Sequence, residues 1–346
     1  MQNVFLTHSP YHLLLADTLA QNLENSTLLA RRTTDETEKL VNALSDRENN
    51  PFDDTEFVNG DVDVPPTNTP YKDFVLGRET SGLRFLKKTA QDLQSRLEDR
   101  FPMKLYTFSD ADPTSQYIQA VNTSHGGTNV YTEDGTGAYL PQNKSWTIKD
   151  LIATLYFGFW RSPTCDQGAY KHTHTLLVNY PELIESRRED REILSMKRGF
   201  FHEMQDSGAV EAVSEAFNVP ETITNLAVLP HHENFDGKTE RQTFNKRLDD
   251  FFNGESFYAK YHPRDEKEYL SGEHIHTLPT KIPAEVITAA NRDTLTNVVG
   301  TGSTALYTAR EILDSGNVCS LLREFGHPGN HKSLIELFEH TGVNVL

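Results

Sequence analysis

Two acidic residues stand directly before a glycine in the segment VYTEDGTGAY, residues 130–139. Glu133 and Asp134 are adjacent carboxylates that repel one another, which shifts the pKa of at least one and so offers a general base. Gly135 and Gly137 let the backbone turn tightly and approach a ligand. An acidic hairpin turn is the alternative interpretation, and the segment alone favours that turn.

A strand, a glycine-rich turn and a helix are predicted for NVVGTGSTALYTAREIL, residues 297–313. Ser303 and Thr304 fall in the first turn of this helix, where free N–H groups and two hydroxyls suit a phosphate. Gly302 precedes them in the turn. The segment lacks the lysine of a Walker loop and the spacing of a dinucleotide fingerprint. An ordinary Ser/Thr N-cap, which needs no ligand, is an equal alternative.

A histidine ends the predicted strand in FYAKYHPRD, residues 257–265. Pro263 stops strand pairing and restricts His262 to extended geometry. A histidine can donate a hydrogen bond to a phosphate and offset charge on a departing one. A solvent-facing loop histidine is the alternative, since the chain contains 14 histidines.

Two further segments carry polar groups near predicted strand ends. In LPTKIPAEVITAA, Glu285 falls just inside a helix that begins near Pro283. It either serves the helix dipole or accepts hydrogen bonds from a ribose diol. His231, His232 and Glu233 suggest a metal site, but no HExxH spacing or cysteine accompanies them, which favours a polar loop and predicts no metal ligand set.

Short apolar runs alternate with helical segments along the chain, which predicts an α/β fold with parallel sheets covered by helices. Two successive series of this kind predict two Rossmann-like domains. In such sheets ligands bind at the carboxyl ends of the strands, where the residues above would collect. The predicted strands cover residues 3–8, 103–110, 128–135, 224–231, 256–263 and 295–300.

The predicted N-terminal domain covers residues 1–190 and the C-terminal domain 191–346, whose last helix could pack back on the first domain. A charged stretch at 183–201 is predicted to be helical and to connect the two. The acidic, proline-rich residues 43–70 are predicted to form a long surface excursion. A helix is predicted from Pro10 onward and another over 81–101.

Composition excludes several classes of protein. With 36% hydrophobic and 24% charged residues the chain is globular. A formal net charge of −17 argues against nucleic acid as a partner. Cys165 and Cys319 are too few for a disulfide framework, and the apolar run at 151–160 is too short to span a bilayer, so we expect a cytoplasmic protein. Peripheral attachment to the inner membrane face stays open, as does the oligomeric state.

The ordered segments EDG (133–135), HP (262–263) and GSTAL (302–306) resemble the three motifs of bacterial sialyltransferases. The opening VFLTHSPYHLLLA and the segment LPTKIPAEVI also resemble the polysialyltransferase-like group of these enzymes. The resemblance extends from residue 4 to about residue 310. One departure from the family pattern is the third motif, which is Ser-Thr here, and both hydroxyls can still donate.

This resemblance implies a GT-B fold whose two Rossmann-like domains face a central cleft. The N-terminal domain would serve the glycan acceptor, with Glu133 as the base and Asp134 orienting it. The C-terminal domain would bind the CMP-sugar donor, with His262, held by Pro263, on the phosphate. Ser303 and Thr304, next to Gly302, would bind the same phosphate, and Glu285 would hold the ribose.

The implied reaction is inverting transfer of sialic acid from CMP-sialic acid to a glycan hydroxyl, without a metal or other cofactor. His8 and Ser9 match the family loosely and are placed in the cleft wall without a role. Two alternatives stay open. The donor could be another CMP-activated acid such as legionaminic acid or Kdo, or the chain could be a catalytically silent nucleotide- or glycan-binding protein.

Overall fold

Parallel strands form two sheets, one in each of two structural units. Unit 1 consists of Met1–Ser45 and Asn50–Lys197, and unit 2 of Asp46–Asn49 and Arg198–Leu346. The computed structural model describes residues 1–32, 35–59, 80–110, 112–141, 154, 158, 160–162, 166–184, 190–196, 200–265, 268–325 and 331–346.

Unit 1 contains a seven-stranded sheet of order β3-β2-β1-β4-β5-β6-β7, in which every pair is parallel. Its strands are β1 (Asn3–Thr7), β2 (Ser26–Arg32), β3 (Asp54–Asn59), β4 (Lys104–Thr107), β5 (Thr128–Thr132), β6 (Thr175–Val178) and β7 (Glu192–Ser195). Its described helices are α1 (Pro10–Ala20), α2 (Asp35–Ser45), α3 (Thr80–Arg96) and α4 (Pro113–Ser124).

Unit 2 contains a six-stranded parallel sheet of order β10-β9-β8-β11-β12-β13. Its strands are β8 (Asn225–Val228), β9 (Phe257–Lys260), β10 (Ile275–Leu278), β11 (Asn297–Gly300), β12 (Asn317–Ser320) and β13 (Asn344–Val345). Its described helices are α5 (Phe200–Asp206), α6 (Ala209–Phe217), α7 (Gly237–Phe251), α8 (Ala284–Ala290), α9 (Thr304–Ile312), α10 (Leu322–Phe325) and α11 (His331–Thr341).

Both sheets follow a doubly wound order, in which the next two strands lie on one side of the first strand of the unit and the later strands lie on its other side. The reversal lies between β1 and β4 in unit 1 and between β8 and β11 in unit 2. Open sheets of this kind bind ligands beyond the carboxyl ends of the strands at the point of reversal. The topology therefore singles out one edge of each sheet as the place to look for a site.

Burial of the central strands on both faces explains why their sequences are continuous apolar runs. Val4, Phe5 and Leu6 of β1 have no exposed surface, and neither have Val298 and Val299 of β11. Helix α1, which follows β1, has local start signals. In α1 the side chain of residue 9, a serine, accepts a hydrogen bond from a backbone N–H in the first turn, and proline occupies the first helical position.

The six predicted strands are all present within the predicted ranges, and the helices that begin at Pro10 and Thr80 confirm two of the predicted helices. Unit 1 extends to Lys197, seven residues past the predicted boundary at 190, because β7 pairs with β6. Helix α11 lies in unit 2, where it packs against α9 and β13. The predicted packing of this last helix on the N-terminal domain stays a prediction.

Two predictions of local structure are wrong. Residues 192–195 lie in the charged stretch predicted to be helical, yet they form the edge strand β7, since pairing with β6 outweighs their helical pattern. Residues 54–59 lie in the predicted surface excursion but form β3 beside β2. The rest of that excursion, 60–70, and most of the apolar run 151–160 lie outside the described residues. None of the described helices is long and apolar enough to cross a bilayer.

Gly300, the last residue of β11, lies where a side chain cannot fit. A Cβ atom there would come within 2.7 Å of the backbone oxygen of Val228 on β8, whereas a Cβ at Gly302 would make only a 3.4 Å contact with Leu334. We expect Gly300→Ala to lower the free energy of unfolding by about 1–3 kcal/mol, the usual effect of overpacking. Gly302→Ala is the matched control and should be close to the wild type in urea unfolding. Equal stability of the two variants would contradict the close approach of β8 and β11.

Candidate active site

The carboxylate of Glu133 is fully buried just beyond β5 in unit 1. Asn179, which follows β6, donates its backbone N–H to Oε2 at 2.7 Å and its side-chain Nδ2 to Oε1 at 3.0 Å. The Tyr139 hydroxyl also donates to Oε2. Each carboxylate oxygen thus accepts at least one hydrogen bond, which satisfies a buried charge that would otherwise be very unfavourable.

The neighbouring Asp134 has a different environment. It is only partly buried, and its Oδ1 accepts a hydrogen bond from the Tyr131 hydroxyl at 3.3 Å. Loss of hydration raises the pKa of Asp134 to about 7, and the negative charges of Glu133 and Asp110 add to this rise. A carboxyl with this pKa can exchange a proton near neutral pH, as a general base requires.

A turn at Gly135 directly follows the two carboxylates. Gly135 has φ of 110°, a conformation that favours glycine, and the chain then forms a short 3-10 helix over Thr136–Tyr139. That turn brings the Tyr139 hydroxyl back to Glu133. The alternative of a hairpin turn is wrong, because β5 lies between two parallel partners, β4 and β6.

The structure places other polar groups at this edge of unit 1. His8 follows β1, and a hydrogen bond of 3.0 Å joins its Nε2 and the Ser115 hydroxyl, while Ser9 caps α1. Asp110 follows β4, is fully buried, and accepts the backbone N–H groups of Gly168 and Tyr170. Sequence analysis missed Asp110, although it lies two residues after the apolar Phe108. It missed Asn179 as well, which directly follows the run TLLV.

His262 follows β9 in unit 2, one strand away from the point where the order of the sheet reverses. Its Nδ1 accepts the backbone N–H of Arg264 at 3.2 Å, so a neutral ring carries its proton on Nε2. Burial lowers the pKa of His262 to about 4, helped by the nearby His231. Lys281 donates to the carbonyl of Pro263 at 2.6 Å and fixes the turn.

The N-terminus of α9 lies beyond β11, at the reversal itself. Ser303 is its N-cap and accepts the backbone N–H of Ala305 at 3.3 Å, as the N-cap alternative predicts. Gly302, Ser303 and Thr304 are partly exposed. The Ser303 hydroxyl can accept from the backbone and still donate its own proton to a ligand, so the N-cap does not exclude an anion site.

Glu285 and Lys260 form a buried charged region behind this edge. Glu285, in the first turn of α8, accepts the Thr308 hydroxyl at 3.2 Å, and burial raises its pKa. Lys260, which sequence analysis left without a role, donates from Nζ to the carbonyls of Tyr261 and Thr280, each at 2.8 Å. Burial lowers the pKa of Lys260 to about 7 against the attraction of Glu285.

The residues predicted to form a polar loop at 230–236 do so, with a short 3-10 helix over His232–Asn234. The structure adds a neighbour from elsewhere in the chain, because Asp265 contacts both His231 and His232. Of the two cysteines, Cys319 is buried and free, and Cys165 lies outside the described residues.

Two doubly wound parallel sheets, each with titratable groups beyond its carboxyl edge, define a two-domain α/β protein of the GT-B class. Solved structures with this fold include Arabidopsis thaliana UGT89C1 complexed with UDP-L-rhamnose, at 11% identity and a TM-score of 0.52, covering 99% of this chain and 84% of that one. The UDP-GlcNAc 2-epimerase from Neisseria meningitidis bound to UDP-GlcNAc matches at 12% identity and a TM-score of 0.53, covering 100% and 94%. The UDP-GlcNAc 2-epimerase of Methanocaldococcus jannaschii, in complex with UDP-GlcNAc and UDP, matches at 11% identity and a TM-score of 0.54. This match covers 98% of this chain and 92% of that one.

The family match identifies the protein more specifically than the fold does. The model of the alpha-2,8-polysialyltransferase (POLYST) family matches residues 3–321, and the chain belongs to this family. It is therefore a glycosyltransferase of the sialyl-transferring type. Among proteins with curated descriptions, none matches the sequence.

The raised pKa of Asp134 has a consequence for stability. The folded-state pKa of about 7 lies above the ordinary 3.8, so the folded chain favours the protonated carboxyl and loses stability as pH rises between these values. We expect Asp134→Asn to remove this loss and to be more stable than the wild type above pH 7, by a few kcal/mol, since one pKa unit is worth about 1.4 kcal/mol.

Urea unfolding at pH 5 and pH 8 measures this effect. The gain from Asp134→Asn should be larger at pH 8 than at pH 5. Asp92→Asn, at an exposed position on α3, is the control and should show no such difference. A gain that is independent of pH would mean that Asp134 has an ordinary pKa.

Proposed function

We propose that this chain transfers sialic acid from CMP-sialic acid to a hydroxyl of a glycan acceptor, with inversion at the anomeric carbon. One observation carries the donor side of this proposal. Within unit 2, His262 and the N-terminus of α9 lie at the same carboxyl edge, at or beside the reversal of the sheet. Membership of the polysialyltransferase family supports the sugar that is transferred.

The donor phosphate would meet two kinds of hydrogen-bond donor in unit 2. These are Nε2–H of His262 and the hydroxyls of Ser303 and Thr304 at the start of α9. Gly302 leaves the backbone accessible before the helix. The positive end of a helix dipole favours an anion at this position. These groups supply the electrostatic stabilisation that other enzymes obtain from a metal ion, so we propose that transfer requires none.

His262 is suited to help the nucleotide leave. Its lowered pKa of about 4 makes the ring neutral at pH 7, so it enters the complex as a hydrogen-bond donor. A bound phosphate would favour the charged imidazolium and raise this pKa, and the departing CMP increases the effect as it gains negative charge. Glu285 would accept the ribose hydroxyls, with Lys260 behind it to offset its charge.

The base comes from the acidic pair of unit 1. The resemblance assigns this role to Glu133, and that assignment stays a prediction. The geometry favours Asp134, because it is partly exposed and has a pKa of about 7, whereas both oxygens of Glu133 accept internal hydrogen bonds. In our proposal Asp134 accepts the acceptor proton, and Glu133 fixes the loop through Asn179 and Tyr139.

The proposal predicts CMP release from CMP-Neu5Ac when a glycan acceptor and EDTA are both present. His262→Gln should lower kcat by about 100-fold or more, because a general acid or its equivalent contributes about that much. His276→Gln, at an exposed position on β10, is the matched control and should retain full activity. Turnover only with CMP-Kdo or CMP-legionaminic acid would show that this compound, and not CMP-sialic acid, is the donor. CMP binding without turnover of any CMP-sugar would indicate a silent binding protein.

The pH dependence of kcat shows which of Glu133 and Asp134 is the base. The wild-type kcat should rise with pH through about 7, as Asp134 loses its proton. We expect Asp134→Asn to lower kcat by about 100-fold or more and to abolish this rise, while CMP affinity stays unchanged. Glu133→Gln should lower the free energy of unfolding by about 1–3 kcal/mol, since buried donors lose their acceptor. This variant should still show the rise of kcat with pH. If instead Glu133→Gln abolishes the rise and Asp134→Asn retains it, Glu133 is the base.

A further inference from the structure

We propose that His231, His232 and Asp265 in unit 2 form a binding site for one divalent transition-metal ion of the zinc type. The two histidines follow β8, and Asp265 follows the His-Pro turn after β9. Because β8 and β9 are parallel neighbours, their following loops meet at one edge of the sheet. None of these three residues is one of the proposed phosphate donors, and the existence of the site does not depend on the proposed function.

The distances among the three side chains suit a shared ion. One donor atom from each residue lies within 4.8 Å of the others. Nε2 of His231 is 3.4 Å from Oδ1 of Asp265, close to the separation of about 3.3 Å between two ligands on a tetrahedral ion with bonds of about 2.0–2.1 Å. Nδ1 of His232 is 2.6 Å from the same oxygen, a hydrogen bond that an ion would replace.

Asp265 supplies the independent sign that a ligand belongs here. Its side chain is 1% exposed, and its Oδ2 is buried without a hydrogen-bond partner. Oδ1, in contrast, accepts both the backbone N–H and the ring of His232. A buried carboxylate oxygen without a partner is unfavourable, because its loss of hydration is not compensated. An ion bound between the histidines and contacted by both oxygens of this carboxylate would supply the missing partner.

The ligand types select the kind of metal. Two imidazoles and one carboxylate favour zinc and its neighbours over magnesium or calcium, which prefer sites made of oxygen atoms. Glu233 adds a second carboxylate near the outer nitrogen of His231, with Oε2 at 3.7 Å from Nδ1, which is beyond hydrogen-bond distance. An ion bound to Nδ1 of His232 would replace the hydrogen bond between that nitrogen and Asp265.

The ion would join two loops at the edge of the sheet and hold the His-Pro turn. The ring of His231 contacts the ring of His262 edge to face, with centroids 5.3 Å apart. The backbone N–H of Asp265 also bonds to the carbonyl of His262 at 2.9 Å. Fixing His231 and Asp265 would therefore fix His262 between them. The metal would stabilise the structure and take no part in sugar transfer.

The test uses the full chain without a histidine tag, freed of metal by chelation and dialysis. Calorimetric titration with zinc should give one ion per chain, and zinc should raise the midpoint of thermal unfolding. Cobalt(II) bound in its place should give the strong visible absorption of a tetrahedral site. His232→Asn and Asp265→Asn should each lower zinc affinity by about 100-fold or more. This loss exceeds the one typical of changing a residue that only hydrogen-bonds to a metal ligand.

His274→Asn is the matched control, because His274 bonds to the partly exposed Asp249 at 2.9 Å in an ordinary surface pair of the same unit. Its zinc affinity should equal that of the wild type. Thermal unfolding without zinc shows whether each variant folds, so the readout is the zinc-dependent change alone. The proposal is overturned if the wild type binds no zinc, or if His232→Asn and Asp265→Asn bind it as tightly as His274→Asn. Neither result depends on any CMP-sugar.

Discussion

Parallel pairing of the strands is the constraint on which both candidate regions depend. In a parallel sheet all carboxyl ends meet at one edge, so loops from neighbouring strands become neighbours in space. Asn179 reaches Glu133 because β6 pairs with β5. Asp265 reaches His231 because β9 pairs with β8. The order of each sheet thus decides which polar residues can act together, whatever their distance in sequence.

Desolvation then gives adjacent residues different chemistry. Glu133 and Asp134 are consecutive carboxylates, yet one is enclosed by internal donors and the other is partly exposed with a pKa of about 7. Enzymes commonly assign acid and base roles to pairs of ionisable groups whose surroundings give the two groups different pKa values. Lys260 and Glu285 illustrate the same effect, since burial opposes the charged form of each more than their mutual attraction favours it.

Much of the fold could be predicted, because central strands are buried on both faces and therefore read as apolar runs. The strands β1, β4, β5, β8, β9 and β11 were all found in this way. The missed strands include the outer ones, such as β10, whose four residues are mostly exposed or only partly buried. Strand β7 reads as part of a charged helix, and only its hydrogen bonds to β6 make it a strand. Pairing of this kind depends on a distant partner, so no local pattern reveals it.

The sequence by itself determined the residue types at the strand ends and their local geometry. Pro263 follows His262 just after the end of β9, Ser303 caps α9, and Gly135 permits the turn after the acidic pair. Only the tertiary structure decided which carboxylate of that pair is enclosed, and that Asp265 completes a set with two histidines 33 and 34 positions earlier. The physical reason is that hydration and hydrogen bonding depend on every neighbour in space, and those neighbours come from other strands.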